Sequence, residues 1–188
     1  MNFLNGLRYP LYYPQYISGY EKVKMTTTTQ TSMMEMEQHI SKRIVIFGAA
    51  GDLCKRKLIP SLYQLWCKDL LPKGLLIVGS SRRELSRECW LNYLGDYPEE
   101  FTHWLDFVSC DLSCEISLNQ LHDDSMDTTY FLSVPPSTYA DAISNLKKAG
   151  FLDDPERSRV VIEKPFGYDY KSADNLQSVV ERHLREKQ

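Results

Sequence analysis

The sequence lacks several features that mark particular classes of protein. No run of about 18 apolar residues occurs in it, so we predict no membrane-spanning helix. It also lacks a basic excess, because 22 Lys and Arg stand against 25 Asp and Glu, and we expect no nucleic-acid partner. Cysteines are few and follow neither a disulfide nor a metal-ligand spacing. We therefore expect no metal site and a cytoplasmic location for a chain whose thiols are Cys54, Cys67, Cys89, Cys110 and Cys114.

The first forty residues differ in composition from the rest of the chain. Residues 2–20 are rich in Tyr, Pro and Gly, and 26–29 form a run of threonines, with no helical or strand periodicity in either stretch. We therefore divide the chain into an N-terminal extension over 1–40, disordered or loosely attached, and a domain over 41–188. At 43% hydrophobic residues the chain is able to bury one ordinary core.

Short apolar runs alternate with amphipathic stretches through the predicted domain. The runs 43–47, 75–78, 107–110, 129–134 and 159–162 are typical of strands, and 52–67, 86–93, 137–148 and 172–185 of helices. This alternation predicts an α/β fold, a doubly wound and mostly parallel sheet with helices on both faces, as in Rossmann-like domains. Ligands of such sheets bind at the carboxyl ends of the strands, so the loops there are the candidate site.

The loop after the first predicted strand reads Gly-Ala-Ala-Gly-Asp-Leu over 48–53. Two glycines permit a tight turn, and small alanines let the backbone approach a pyrophosphate that the next helix meets with free N–H groups. We expect Asp52 to cap that helix and to complement its dipole. An ordinary strand-to-helix turn is the alternative interpretation.

The loop after the second predicted strand reads Gly-Ser-Ser-Arg-Arg over 79–83, with Gly79 closing the strand. A site that prefers NAD places an acidic residue here to bind the ribose hydroxyl. Two guanidinium groups and two hydroxyls instead favour the 2′-phosphate of NADP. Alternatively, Arg82 and Arg83 merely begin a solvated helix face.

Two further loops contain candidate residues. Tyr139 follows a pair of prolines and is predicted in the first turn of a helix, facing the cofactor cleft. Lys164 follows the last strand and precedes Pro165, which disfavours helical geometry and lets the ammonium project into the cleft. We hypothesise a cis Lys164–Pro165 bond. The alternative for Lys164 is an ordinary surface lysine.

These segments resemble the glucose-6-phosphate dehydrogenase family, in the same order along the chain. The similar segments are Phe-Gly-Ala-Ala-Gly-Asp-Leu from 47 continuing to Tyr63, Ile-Val-Gly at 77–79 with Arg82, the stretch 131–136, and Glu-Lys-Pro-Phe-Gly at 163–167. The resemblance spans roughly 41–185. It implies oxidation of glucose 6-phosphate to the lactone with NADP, the first step of the pentose phosphate pathway.

The resemblance also implies roles for single residues. By position, Arg82 takes the 2′-phosphate, Tyr139 contacts the nicotinamide half, and Lys164 touches both coenzyme and sugar phosphate as the candidate catalytic and substrate-binding residue. The pyrophosphate cradle comprises Gly48, Ala49, Ala50, Gly51, Asp52, Leu53, Cys54 and Lys55. Ala50 stands where a serine is usual in the family.

The family's substrate motif, Arg-Ile-Asp-His-Tyr-Leu-Gly-Lys, is expected only past Gln188, with the general-base histidine beyond it. We therefore expect this chain to bind NADP without turnover, its glucose 6-phosphate site being completed by a C-terminal domain or a partner chain. The four histidines, His39, His103, His122 and His183, match no catalytic position. One alternative is a non-catalytic NADP-binding module or assembly partner. Another is a different NADP reductase of the same fold.

Overall fold

The computed structural model describes residues 42–123 and 125–188, so the predicted extension over 1–40 lies outside the described residues. The strands are β1 (Lys42–Phe47), β2 (Leu76–Ser81), β3 (Leu105–Ser109), β4 (Asp127–Leu132) and β5 (Ser158–Ile162). The helices are α1 (Ile59–Cys67), α2 (Arg87–Leu94), α3 (Glu99–Thr102), α4 (Glu115–Leu118), α5 (Tyr139–Lys148) and α6 (Tyr170–His183). A π-helical turn (Cys54–Leu58) leads into α1, and 3-10 turns lie at Asn119–Leu121 and Pro136–Thr138.

The strands form one sheet in the order β3-β2-β1-β4-β5, and all four neighbouring pairs are parallel. This confirms the predicted doubly wound sheet. The chain crosses from β3 at one edge back to β4 beside β1, which makes the gap between β1 and β4 the topological switch point. Phe47 pairs with Ser80 on one side and Leu132 on the other, so the carboxyl ends of these strands lie level.

Alternate side chains of the central strands belong to two separate apolar clusters. Val45 and Phe47 of β1 pack in one cluster with residues of α5 and α6. Ile46, between them, belongs to the other, with Ile59 of α1 and Trp90 of α2. Because successive strand residues point to opposite faces, this alternation places α1 and α2 on one face of the sheet and α5 and α6 on the other.

The second strand is longer than predicted. Gly79 does not close β2 but lies inside it, and the strand continues through Ser80 and Ser81. A β-carbon at Gly79 would overlap the indole ring of Trp90, so the glycine gives the ring its place against the strand. Helices α3 and α4 were not predicted, because four residues are too few to show a helical period.

Helix α6 begins two residues earlier than predicted. Asp169 caps it by accepting a hydrogen bond from the Ser172 N–H at 2.7 Å, and the Ser172 hydroxyl accepts one from the Asp169 N–H in return. The predicted helix over 52–67 is divided into the π-helical turn and α1, and the bounds of the remaining predicted strands and helices lie within two residues of the observed ones. In 42–123 and 125–188, no helix is long and apolar enough to cross a membrane.

The buried thiol of Cys54 sets a limit on stability at high pH. Burial raises its pKa from 9.0 to about 12. Because the folded pKa lies above the unfolded one, the contribution of this thiol is complete below pH 9 and is lost as the pH rises toward 12. We expect the free energy of unfolding to fall by up to about 1.4 kcal/mol per pH unit in that range.

Urea unfolding at about pH 8 and about pH 10.5 measures this loss against two variants. Cys54→Ala should show a shallower decline than the wild type, whereas Cys67→Ser, at an exposed thiol, should keep the full decline. The assignment to Cys54 is refuted if removing its thiol leaves the pH slope unchanged.

Candidate functional site

The loops that follow the strands meet at the carboxyl edge of the sheet. The turn after β1 starts at Gly48, the loop after β2 at Arg82, and the segment after β4 at Ser133. The strand registers bring these positions to one edge, and Lys164 follows at the end of β5, beyond β4. The structure therefore places the predicted site residues along one edge of the sheet.

The turn after β1 is a tight glycine turn at the switch point. Gly48 has a φ of +84°, and a β-carbon on it would overlap the Ser133 carbonyl oxygen. The Gly48 and Ala49 N–H groups both donate to the Ser80 carbonyl, at 2.8 and 2.9 Å, and the Gly51 N–H donates to the Gly48 carbonyl at 2.9 Å. The backbone is thus held in a conformation that glycine alone adopts without strain.

The helical segment begins directly after this turn, at Asp52. The predicted N-cap role of Asp52 is wrong, because this residue lies inside the first helical turn. Its carboxylate forms a salt bridge with Arg56 at 2.7 Å, and both side chains are exposed. The acidic group still lies at the positive end of the helix dipole, as predicted.

The next three residues of the predicted cradle have different surroundings. The Leu53 side chain is partly exposed, whereas Cys54 is fully buried and is able to offer a ligand only its backbone. The Lys55 ammonium lies 4.6 Å from the centroid of the Tyr93 ring, a cation–π contact. Its charge is therefore held at the α2 side of the turn.

The loop after β2 presents arginines, but fewer hydroxyls than predicted. Arg82 and Arg83 are exposed. Ser80 is completely buried within β2, so its predicted part in binding a phosphate is wrong. The Ser81 hydroxyl accepts a hydrogen bond from the Arg83 N–H at 3.2 Å. The cationic groups that this loop offers to an anion are therefore Arg82 and Arg83, with the Ser81 hydroxyl beside them.

Asp111 lies beside this loop, because the Cys110 N–H donates to the Ser81 carbonyl and aligns the two strand ends. Hydrogen bonds from the Ser113 backbone and hydroxyl, and then the charge of Arg82, hold the pKa of Asp111 below its usual value. The Asp111 carboxylate therefore stays ionised at neutral pH and partly balances the charge of Arg82.

Tyr139 begins α5, as predicted, but its side chain does not face an open cleft. It is 1% exposed and belongs to the apolar cluster with Ile143 and Leu146. Burial, and then the negative charge of Glu163, raise the pKa of its hydroxyl. The ring therefore packs into the core near the end of β5, and its contact with the nicotinamide stays a prediction.

Lys164 is exposed at the end of β5, and its bond to Pro165 is cis, as hypothesised. Apolar side chains are exposed in the same segment: Phe166 by 41%, Tyr168 by 78% and Tyr170 by 86%. A segment with an exposed ammonium and exposed aromatic rings is suited to binding an anionic ligand or a further polypeptide surface.

The three described histidines lie at the opposite edge of the sheet. His103 precedes the amino end of β3, and His122 packs its ring on Phe151 at 5.0 Å, before β4. His183 ends α6, the helix that returns from the carboxyl edge. Burial, and then nearby cationic groups, lower its pKa. None of these three is near Lys164, and His39 lies outside the described residues.

Two residues that shape the turn were missed by sequence reasoning. Trp90 donates its indole N–H to the Ala49 carbonyl at 3.0 Å, and the Ser133 N–H donates to the Phe47 carbonyl at 2.9 Å. The sequence pattern of α2 predicts only that Trp90 is a core residue. The one signal of its position is Gly79, whose missing side chain leaves space for a large ring.

The turn fits the pyrophosphate of a dinucleotide on three observations. Its glycine at the switch point leaves no room for a side chain, the helix that follows directs free N–H groups at the same edge, and Arg82 stands one strand away. This combination defines a Rossmann-type dinucleotide-binding domain. The family model described as "Glucose-6-phosphate dehydrogenase, NAD binding domain" matches residues 45–188. The chain belongs to the glucose-6-phosphate dehydrogenase family, and its coenzyme is a nicotinamide dinucleotide.

Similar proteins support the same family. Glucose-6-phosphate 1-dehydrogenase from Aggregatibacter actinomycetemcomitans is 33% identical over 77% of this chain and 34% of its own length, and that from Schizosaccharomyces pombe is 32% identical over 72% and 31%. A crystal structure of the Mycobacterium avium enzyme has a TM-score of 0.69 at 29% identity, covering 79% of this chain and 35% of that one. The chain thus spans about a third of the length of these relatives.

Proposed function

We propose that the chain is the NADP-binding part of a glucose-6-phosphate dehydrogenase, which oxidises glucose 6-phosphate to 6-phosphogluconolactone. The observation that supports this most is the glycine turn at the switch point together with Arg82, exposed after β2 where an NAD site has an acidic residue. One similar solved structure is titled "Glucose-6-phosphate dehydrogenase in complex with its substrate glucose-6-phosphate", with a TM-score of 0.68 and 27% identity.

Different residues of the edge bind different parts of the coenzyme. The backbone from Gly48 to Lys55 binds the pyrophosphate, and Arg82 binds the 2′-phosphate with charge-assisted hydrogen bonds. At the other end of the edge, after β5, Lys164 is assigned in this proposal to the nicotinamide half and to the phosphorylated sugar. The bound nicotinamide supplies the acceptor for the hydride that leaves the sugar.

Removal of the sugar hydroxyl proton needs a base within hydrogen-bond reach. The histidines in 42–123 and 125–188 lie at the amino edge, away from Lys164, and so none of them is suited to this step. We infer that a further domain or a partner chain provides the base. The exposed Phe166, Tyr168 and Tyr170 beside Lys164 favour such a covering surface over a free-standing module, whose surface would be polar there.

The proposal is tested by a coenzyme titration and an activity assay on the same purified chain. We expect NADP to bind more tightly than NAD in the titration, and absorbance to show no NADPH formation with glucose 6-phosphate. Binding without turnover supports a coenzyme domain whose base lies elsewhere. Clear turnover would show that a group in this chain acts as the base, and absence of any dinucleotide binding would refute the proposal.

A further inference from the structure

Trp90 makes the one side-chain hydrogen bond that the described structure records to the glycine turn. Its indole N–H donates to the Ala49 carbonyl at 3.0 Å, and the ring is completely buried. The Ala49 N–H in turn donates to the Ser80 carbonyl at 2.9 Å. Both polar groups of Ala49 are therefore held inside the protein, one by the backbone of β2 and one by α2.

The bond from Trp90 also fixes the direction of the next N–H group. The peptide unit between Ala49 and Ala50 is planar, and its carbonyl and N–H point in opposite directions. Because the carbonyl points to Trp90, the Ala50 N–H points away from it. Within the described residues, the Gly48, Ala49 and Gly51 N–H groups have backbone acceptors, whereas no acceptor is recorded for the Ala50 N–H.

The ring of Trp90 is itself held in one place. It fills the space left by Gly79, where a β-carbon would overlap it, and it packs on Phe107 with 5.3 Å between ring centroids. Because the indole N–H has so little freedom to move, it is able to set the orientation of the peptide unit that it binds.

We propose that Trp90 is a positioning residue for the coenzyme: its N–H orients the Ala49–Ala50 peptide so that the Ala50 N–H is presented to the dinucleotide pyrophosphate. This inference rests on the proposed function, and it adds a residue of α2 that touches no ligand. Loss of the indole N–H leaves the Ala49 carbonyl buried without its partner, so the peptide is free to turn toward another donor.

The test uses Trp90→Phe in the full chain, which keeps an aromatic ring against Gly79 and removes the N–H. We expect the affinities for NADP and NAD to fall by the same factor, about fivefold or more. The affinity for adenosine 2′-monophosphate, which has no pyrophosphate, should stay within about twofold of the wild type. Trp104→Phe is the matched control, because Trp104 packs in the same cluster but at the amino edge of β3.

A second variant removes the same N–H group while it keeps the shape of the indole ring, so that the test does not depend on whether Trp90→Phe folds. Incorporation of 3-benzothienylalanine at position 90 keeps the bicyclic ring and replaces the N–H by sulfur, and it should show the same pattern of affinities. Unchanged NADP affinity in both folded variants, or a loss confined to NADP, overturns the role of Trp90 and leaves the proposed function standing. A wild-type chain that binds neither dinucleotide overturns both.

Discussion

Replacing Arg82 by alanine will lower the affinity for NADP by more than about tenfold and leave the affinity for NAD nearly unchanged. A charge-assisted hydrogen bond contributes about 1.5–3 kcal/mol, and about 1.4 kcal/mol corresponds to a tenfold change in affinity. Arg82 is exposed at the carboxyl edge, and the buried Ser80 hydroxyl does not share its task. Titration of both coenzymes against the variant measures the effect.

Arg83→Ala is the matched control for this experiment. Arg83 is also exposed, but its N–H and carbonyl bind the Ser81 and Ser109 hydroxyls, which hold the loop through the backbone and not the side chain. We expect this variant to keep most of the NADP affinity. Equal losses of NADP and NAD affinity in Arg82→Ala would show that the arginine supports the loop instead of binding the 2′-phosphate.

Gly48→Ala will abolish binding of both coenzymes and destabilise the fold. The added methyl group overlaps the Ser133 carbonyl oxygen, which is backbone, and the φ of +84° disfavours any side chain. We expect the free energy of unfolding to fall by about 3 kcal/mol or more, because strain and overlap act together. Thermal unfolding and a titration with NADP measure the two effects.

Gly74→Ala separates backbone strain from overlap. Gly74 has a similar φ of +76°, but a β-carbon there meets nothing within 4 Å. This variant should lose only about 1 kcal/mol of stability and keep its coenzyme affinity. If the two alanine variants prove equally stable, the close approach of Gly48 to Ser133 does not have the importance that we assign to it.

The sheet was predictable because each strand contains a short stretch of apolar, aromatic or β-branched residues. The runs that begin at Arg43 and Arg159 both became strands within a residue of the expected start, and the helices between strands show clear amphipathic spacing. Gly79 misled the prediction of the end of β2, because a glycine usually ends a strand. Here it accommodates a ring from α2, a tertiary contact that local sequence does not encode.

The candidate site was predictable in its positions but not in its orientations. Gly48, Arg82 and Lys164 follow strand ends, so their arrival at one edge follows from the topology alone. Whether a side chain at such a position faces the ligand depends on packing. Ser80 and Tyr139 read as polar site residues, yet the structure buries both, and Trp90 reads as core although its N–H bonds to the turn.

The two apolar clusters on opposite faces of the sheet give this domain two cores instead of one. Trp90 and Ile59 belong to one and Tyr139 and Ile143 to the other, and between them lies only the backbone of the strands. Repacking within one cluster therefore has little effect on the other, since side chains without shared partners act nearly independently. The face that carries α1 and α2 and the face that carries α5 and α6 should therefore tolerate core substitutions separately.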